Sequence, residues 1–290
     1  GICLTSASDG REIPSIRRLN GDAAALYADL YTDNGTGYST TCLVPLYLCN
    51  AAGSIDEVII FLADLQNSYY RYIRNSVPLG MGYVAAYLQQ TFGDSVEIHQ
   101  FRKFEEIHEA LKETTPHMVA FGSYSWNTSL TLKTAEYLRD RERDLVIALG
   151  GPDVSQLADI TKRDLEANRQ VDFCIADEGE VPMRHLVEAY MGSSSRSSLR
   201  DKAIPGCLSL ESPTVSGIFA ERISDINEIP SPYLSGLMDR FLRDSDYLPI
   251  VQTARGCPYQ CTFCVSGKDS WRKVKEFEMD RVKAEVDYVA

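Results

Sequence analysis

Three cysteines stand close together at Cys257, Cys261 and Cys264, in the run Thr253-Ala254-Arg255-Gly256-Cys257-Pro258-Tyr259-Gln260-Cys261-Thr262-Phe263-Cys264. Thiolates at this spacing can take three corners of an iron–sulfur cubane and leave the fourth iron without a protein ligand. An open iron is a place for chemistry. A structural zinc site would want four ligands, usually as two separated pairs. No second pair lies nearby, although Cys207 could reach in as a fourth ligand. A disulfide would leave one of three clustered thiols unpaired. Cys257, Cys261 and Cys264 are therefore the candidate metal ligands.

A second set of residues suits the binding of a large flat ligand. Gly150 and Gly151 form a pair that lets such a ligand, or its nucleotide tail, approach the backbone closely, and Ser123 and Ser125 carry hydroxyls that can donate to the tail. The bland reading of Gly150-Gly151 is a tight turn that packs the next helix. Gly179 lies in the acidic run Asp177-Glu178-Gly179-Glu180 and is the residue of that run best suited to ligand approach. Asp177, Glu178 and Glu180 read as a solvated loop that also favours the N-terminus of the following helix. Tyr124 and Trp126 can line the ligand face or belong to the core. His99, His108, His117 and His185 show no metal-ligand spacing and read as structural or surface groups.

The elements that must position these residues follow from the apolar pattern. From Glu57 onward, buried apolar runs alternate with amphipathic segments, as in parallel strands joined by crossover helices. The runs predict strands at Val58 to Leu62, Ser95 to His99, Met118 to Gly122, Leu145 to Leu149 and Phe173 to Ala176. Helices are predicted near Leu79 to Thr91, Phe104 to Lys112, Thr128 to Asp140, Gln156 to Glu166 and Pro182 to Met191. The fold class is α/β, a flavodoxin-like doubly wound parallel sheet, in which ligands gather at the carboxyl ends of the strands near the switch in strand order.

The Ser-rich stretch from Met191 to Ser198 reads as a surface linker. Leu248 to Ala254 reads as one more buried strand, with the cysteine loop directly after it, and Lys275 to Ala290 reads as a helix. The expected organisation is an irregular lead-in at 1–54, an α/β domain at 55–195, a connecting segment at 196–246 and the start of a further domain at 247–290. The chain begins without Met and ends inside a helical run, so it reads as an excerpt of a longer protein. Residues 1–54, with Cys42 and Cys49, suggest no function.

Composition narrows the function classes. The chain has 290 residues, 44% of them apolar and 24% charged, enough for about two domains at roughly 100 to 200 residues each. Its formal charge is -12 and its basic residues form no long block, so nucleic acid is not an expected partner. No apolar run approaches the ~20 residues of a membrane span, and the first residues lack a secretory pattern. A cytoplasmic location is the expectation, and the clustered cysteines point to a metal in a reducing compartment.

The Cys-x-x-x-Cys-x-x-Cys loop, with Phe263 before its last Cys and a buried strand ahead of it, resembles the radical SAM superfamily. With an α/β domain in front, the chain resembles the cobalamin-dependent (B12-dependent) radical SAM enzymes. The segments that carry this are Pro78-Leu79-Gly80-Met81-Gly82-Tyr83-Val84-Ala85-Ala86-Tyr87-Leu88, Gly150-Gly151-Pro152, Asp177-Glu178-Gly179-Glu180 and Arg255-Gly256-Cys257-Pro258. The resemblance implies that Cys257, Cys261 and Cys264 ligate a [4Fe-4S] cluster whose open iron chelates S-adenosyl-L-methionine, with Phe263 near the adenine. It implies the start of a radical SAM partial (β/α) barrel, and cobalamin against Ser123, Ser125, Gly150, Gly151 and Gly179. Cobalamin domains of the methionine synthase type carry Asp-x-His-x-x-Gly. Here Asp64-Leu65-Gln66 has Gln at the cobalt-ligating position, so cobalt would lack a lower histidine from this site.

The implied function is a cobalamin-dependent radical SAM enzyme that C-methylates or remodels a small molecule, with an electron donor such as flavodoxin or ferredoxin. The 290-residue excerpt is expected to be inactive alone. Two other readings stay open. One is a radical SAM enzyme whose first domain holds no cobalamin, and the other is a non-catalytic corrinoid module with a zinc knot at the three cysteines.

Overall fold

The computed structural model describes residues 57–66, 75–193, 195–211, 222–264, 266–267 and 271–290. All of the described elements belong to the compact unit at 57–290. The lead-in with Cys3, Cys42 and Cys49, and residues Asn67 to Tyr69 after Gln66, lie outside the described residues.

Six strands make the main sheet: β1 (Val58–Ala63), β3 (Val96–Phe101), β4 (Met118–Gly122), β5 (Val146–Gly150), β6 (Phe173–Ile175) and β7 (Cys207–Leu208). Their spatial order is β3-β1-β4-β5-β6-β7, parallel through β6 and antiparallel at β7. The five parallel strands thus follow the flavodoxin-like order 2-1-3-4-5, with the switch between β1 and β4. Helices α1 (Leu79–Phe92), α2 (Phe104–Ala110), α3 (Thr128–Arg141), α4 (Ala158–Ala167) and α5 (Glu180–Met191) alternate with these strands. Strands β1, β4, β5 and β6 are near-continuous apolar runs because layers cover both faces of the parallel sheet, whereas the edge strand β3 carries the exposed Glu97. Phe61, Val119, Phe121, Ile147 and Leu138 lie in one such core.

A second apolar cluster forms on the outer side of α1. Leu79 and Tyr83 pack there with Ile226, Ile229, Tyr233, Met238, Phe241 and Phe277, so residues read from sequence as a connecting segment build a core of their own. Gly82 makes this approach possible. A Cβ there would come within 2.9 Å of the Met238 Cε and 3.0 Å of the Pro232 Cβ.

The Ser-rich stretch read as a surface linker contains the short helix α6 (Arg196–Arg200), with Ser195 accepting from the Ser198 N–H as its cap. Arg196 reaches back to Asp172, whose carboxylate also binds Arg139 at 2.6 Å, so the stretch is tied to the sheet by a buried ion cluster. Hydrophobicity alone gave no sign of these long-range ion pairs. β7 follows and closes the sheet edge, pairing Cys207 with Ile175.

The expected continuous strand from Leu248 to Ala254 is instead two short pieces. β8 (Tyr247–Leu248) pairs in parallel with β2 (Asn75–Ser76), and β9 (Ala254–Arg255) pairs antiparallel with β10 (Lys275–Glu276). A strand requires a hydrogen-bonding neighbour along its whole length, and these residues change neighbour midway. The last helix is α8 (Met279–Val289), preceded by β10, where a helix from Lys275 was expected. The four-residue helix α7 (Asp239–Leu242) completes the element order.

Candidate functional site: the carboxyl ends of the sheet and the cysteine loop

Loops after β1, β4, β5 and β6 meet at the carboxyl edge, and buried polar groups fasten them to one another. Asn127, 2% exposed, donates through Nδ2 to the carbonyls of Leu65 (3.0 Å) and Gly122 (3.1 Å) and accepts from the Tyr124 N–H at 2.8 Å. It bridges the two loops at the topological switch. Local sequence carried no sign of this role, because both carbonyls it holds are brought to it by the sheet.

Ser123 is buried, and its N–H donates to the Gly150 carbonyl at 2.6 Å. Its hydroxyl lies 3.1 Å from that of Thr128. Gly151 has φ +106°, and a Cβ on it would sit 2.7 Å from the Ser123 carbonyl oxygen. That glycine is therefore required by the contact of two loops. Gly150 has ordinary room for a Cβ beside Ile175. Gly179 starts α5, and a Cβ there would meet Val84 of α1 at 3.3 Å, so it serves close helix packing. Ser125 and Trp126 are exposed at the end of β4, with Trp126 stacked on Tyr124 at 4.7 Å. The Tyr124 hydroxyl is pushed up to about 12, by burial first and then by Asp64.

Gln66 stands where the resemblance to cobalamin domains of the methionine synthase type would put a histidine. With its amide oxygen turned to Arg102 and its nitrogen to Asn75, it joins the pair formed by Arg102 and Asp64, which are 2.5 Å apart. Burial raises the Asp64 carboxyl, and the Arg102 guanidinium opposes that rise.

The acidic run after β6 differs most from its sequence reading. Glu178 and Glu180 are not solvated, their side chains being only 8% and 4% exposed. Glu180 pairs with Arg255 at 2.7 Å, and Glu178 pairs with Arg222 at 3.0 Å. Burial opposes the charge on Arg255, but Glu180 and Glu178 outweigh it and hold the group above its usual value. The Arg255 guanidinium lies 4.7 Å over the Tyr83 ring, and that of Arg222 lies 4.6 Å over Trp271. Asp177 has φ 65°, a left-handed conformation that Asp tolerates, and accepts from the Trp271 Nε1–H at 3.0 Å. The partners of these acids lie about 45 to 95 residues away in sequence, beyond the reach of a local reading.

Those partners flank the cysteine loop. Arg255 leads into Gly256, whose φ of +116° and 2.5 Å approach of a Cβ to the Lys273 carbonyl admit only glycine. The Cys257 N–H donates to the Trp271 carbonyl at 2.8 Å, and the Cys264 N–H to the Cys261 carbonyl at 3.1 Å. All three thiols are free, with Cys261 and Cys264 exposed and Cys257 half-buried. Phe263 is 92% exposed. Among the described residues no three Cys, His, Asp or Glu side chains are gathered closely enough to hold a metal ion. The cysteines share a loop without converging on a centre. As a donor set, three free thiols on one loop suit an iron–sulfur cluster. Cys207 does not join them. Its thiol is buried, donates to the Pro182 carbonyl at 3.5 Å and is pushed up by burial, which disfavours a thiolate ligand.

Residues 75–187, which run from β2 through most of α5, match the family model of the B12 binding domain. This stretch is similar to B12 binding domains. The chain is 30% identical over 182 residues to the cobalamin-dependent radical SAM methyltransferase TokK of Streptomyces tokunonensis, covering 60% of this chain and 26% of that protein. It is also 30% identical over 185 residues to a 2-(S-pantetheinyl)-carbapenam-3-carboxylate methyltransferase of Streptantibioticus cattleyicolor, covering 61% of this chain and 26% of that one. The chain thus spans about a quarter of the length of these relatives. A solved structure of the cobalamin-dependent S-adenosylmethionine radical enzyme OxsB, with aqua-cobalamin and S-adenosylmethionine bound, shares the fold. Its TM-score is 0.60 at 17% identity, over 81% of this chain and 32% of that one. No helix among the described residues is long and apolar enough to cross a membrane.

Proposed function

We propose that the protein is a cobalamin-dependent radical SAM enzyme that methylates an unactivated carbon, or otherwise remodels a small molecule. The observation that carries this is the joining of a B12-binding domain to a loop of three free cysteines, through the buried Arg255–Glu180 pair. Two relatives at 30% identity named as methyltransferases support the choice of methyl transfer.

Cys257, Cys261 and Cys264 would hold a [4Fe-4S] cluster, and Phe263 would lie against S-adenosyl-L-methionine. The backbone at Gly150 and Gly151 and the exposed Ser125 hydroxyl would meet the corrinoid, with Ser123 and Gly179 shaping the loops beneath. Once bound, these cofactors supply a 5'-deoxyadenosyl radical for hydrogen abstraction and a methyl group for transfer. This chain's own residues bind, orient and exclude water. A small-molecule substrate and an electron donor such as flavodoxin or ferredoxin complete the reading.

The test is anaerobic reconstitution of the full-length protein with iron, sulfide and hydroxocobalamin, followed by metal analysis and a visible spectrum, with Cys261→Ala alongside. About four irons, lost in the variant while one cobalt is kept in both, is the expected result. Zinc in place of iron would sink the radical mechanism. Iron without cobalt would favour a second reading, a radical SAM enzyme whose B12-like domain is a scaffold. The engagement of Gln66 with Arg102 and Asn75, leaving no imidazole for cobalt, is what keeps that reading in play.

A further inference from the structure

The cysteine loop is held at both of its flanks by one acidic turn that lies far from it in sequence. On the leading flank, Arg255 binds Glu180 at 2.7 Å and reaches Glu178 at 3.9 Å. On the trailing flank, Trp271 donates to Asp177 at 3.0 Å and lies under Arg222, itself paired with Glu178. The two flanks are fastened to each other where Cys257 N–H meets the Trp271 carbonyl and where β9 pairs with β10. Between these ties, Cys261 and Cys264 are exposed. The turn itself is rigid at its base, because β6 is hydrogen-bonded on both sides and Gly179 packs α5 against α1.

We infer that Asp177, Glu178 and Glu180 are positioning residues for the cysteine loop, clamping both of its flanks to the carboxyl end of β6, where the B12-binding domain presents its ligand edge. The clamp fixes the loop's separation from that edge before any metal is bound. The pairs are well removed from water, so their geometry is stiff and their loss is not made good by solvent. The inference rests on the proposed function only in taking the loop as the seat of a cluster.

The test uses the full-length protein and three variants. Trp271→Phe removes the donor to Asp177 while keeping a ring under Arg222. Glu180→Gln removes the charge facing Arg255. Asp177→Asn keeps both the acceptor and the tolerance for a left-handed backbone, and serves as the conservative control. Amide hydrogen exchange of residues 256–271 is measured before reconstitution, and iron release to a chelator and the spectrum of the reduced cluster afterwards.

Trp271→Phe and Glu180→Gln are each expected to speed loop exchange and iron release about tenfold, the effect of losing one well-formed hydrogen bond or more. Asp177→Asn should leave both near the unsubstituted rates, with corrinoid uptake held in all three and Tm held in Trp271→Phe and Asp177→Asn, while Glu180→Gln, which leaves Arg255 without its counter-charge, also lowers Tm. Unchanged exchange in Trp271→Phe and Glu180→Gln would overturn the inference. So would a parallel loss of iron, corrinoid and Tm in Trp271→Phe, which marks general support of the fold. Absence of iron in the unsubstituted protein would sink the functional reading, and loop exchange would still decide for or against the clamp.

Discussion

Arg255 and Glu180 form a buried ion pair at 2.7 Å that joins the residue two before the first cysteine of the loop to the first turn of α5. Each side chain is less than a tenth exposed. Removing one partner strands the other without water or counter-charge. Arg255→Ala is therefore expected to lower stability by about 3 to 5 kcal/mol, read as a fall in the denaturant midpoint at unchanged m-value. Arg255→Lys should recover only part of this, since the ammonium lacks the planar fork that also stacks on Tyr83. An alanine variant as stable as the unsubstituted protein would show that the pair is dispensable.

Gly151→Ala is expected to be costly even though the added group is one methyl. The residue would be held at φ +106° with its Cβ 2.7 Å from the Ser123 carbonyl. Strain of this kind costs on the order of 1 to 3 kcal/mol. Gly150→Ala, where the nearest atom is 3.6 Å away, should be far milder. Thermal unfolding of the two variants side by side checks the difference.

His117 gives the fold a pH dependence. Its Nδ1 accepts from the Ile59 N–H at 2.9 Å, and burial lowers its pKa below the usual 6.5. Below 6.5 the unfolded chain takes up the proton before the folded one, so the unfolded state binds more protons and stability rises with pH in that window. The contribution is present above 6.5 and is lost as pH falls towards the folded value. His117→Asn retains an acceptor but does not titrate, and should flatten this limb when urea midpoints are compared between about pH 7 and 5.

Asn127→Ala should loosen the ligand edge. It leaves the buried carbonyl of Leu65, and the part-buried carbonyl of Gly122 and N–H of Tyr124, short of a partner. An unsatisfied buried group costs about 1 to 3 kcal/mol, so the variant should lose at least 2 kcal/mol. Corrinoid affinity, measured by visible titration, should fall with it. Asn127→Asp, which keeps the acceptor for Tyr124 but not the donors, should lie no closer to the unsubstituted protein.

The sequence by itself determined the five parallel strands and the helices between them, because strands covered on both faces are mostly apolar, the edge strand β3 excepted, and amphipathic helices repeat every 3.6 residues. Met118–Gly122 was legible to the residue, and the other strands to within one or two. It also determined the triple-cysteine loop, since that chemistry depends on spacing along the chain. Only the tertiary structure decided what the glycines and acids do. Gly151 and Gly179 were legible as close approaches, but whether to a ligand or to Ser123 and Val84 depends on what the fold brings beside them. Glu178 and Glu180 looked like a solvated turn because Arg222 and Arg255 lie far along the chain. An ion pair is fixed by distance in space, which no local pattern of residues encodes.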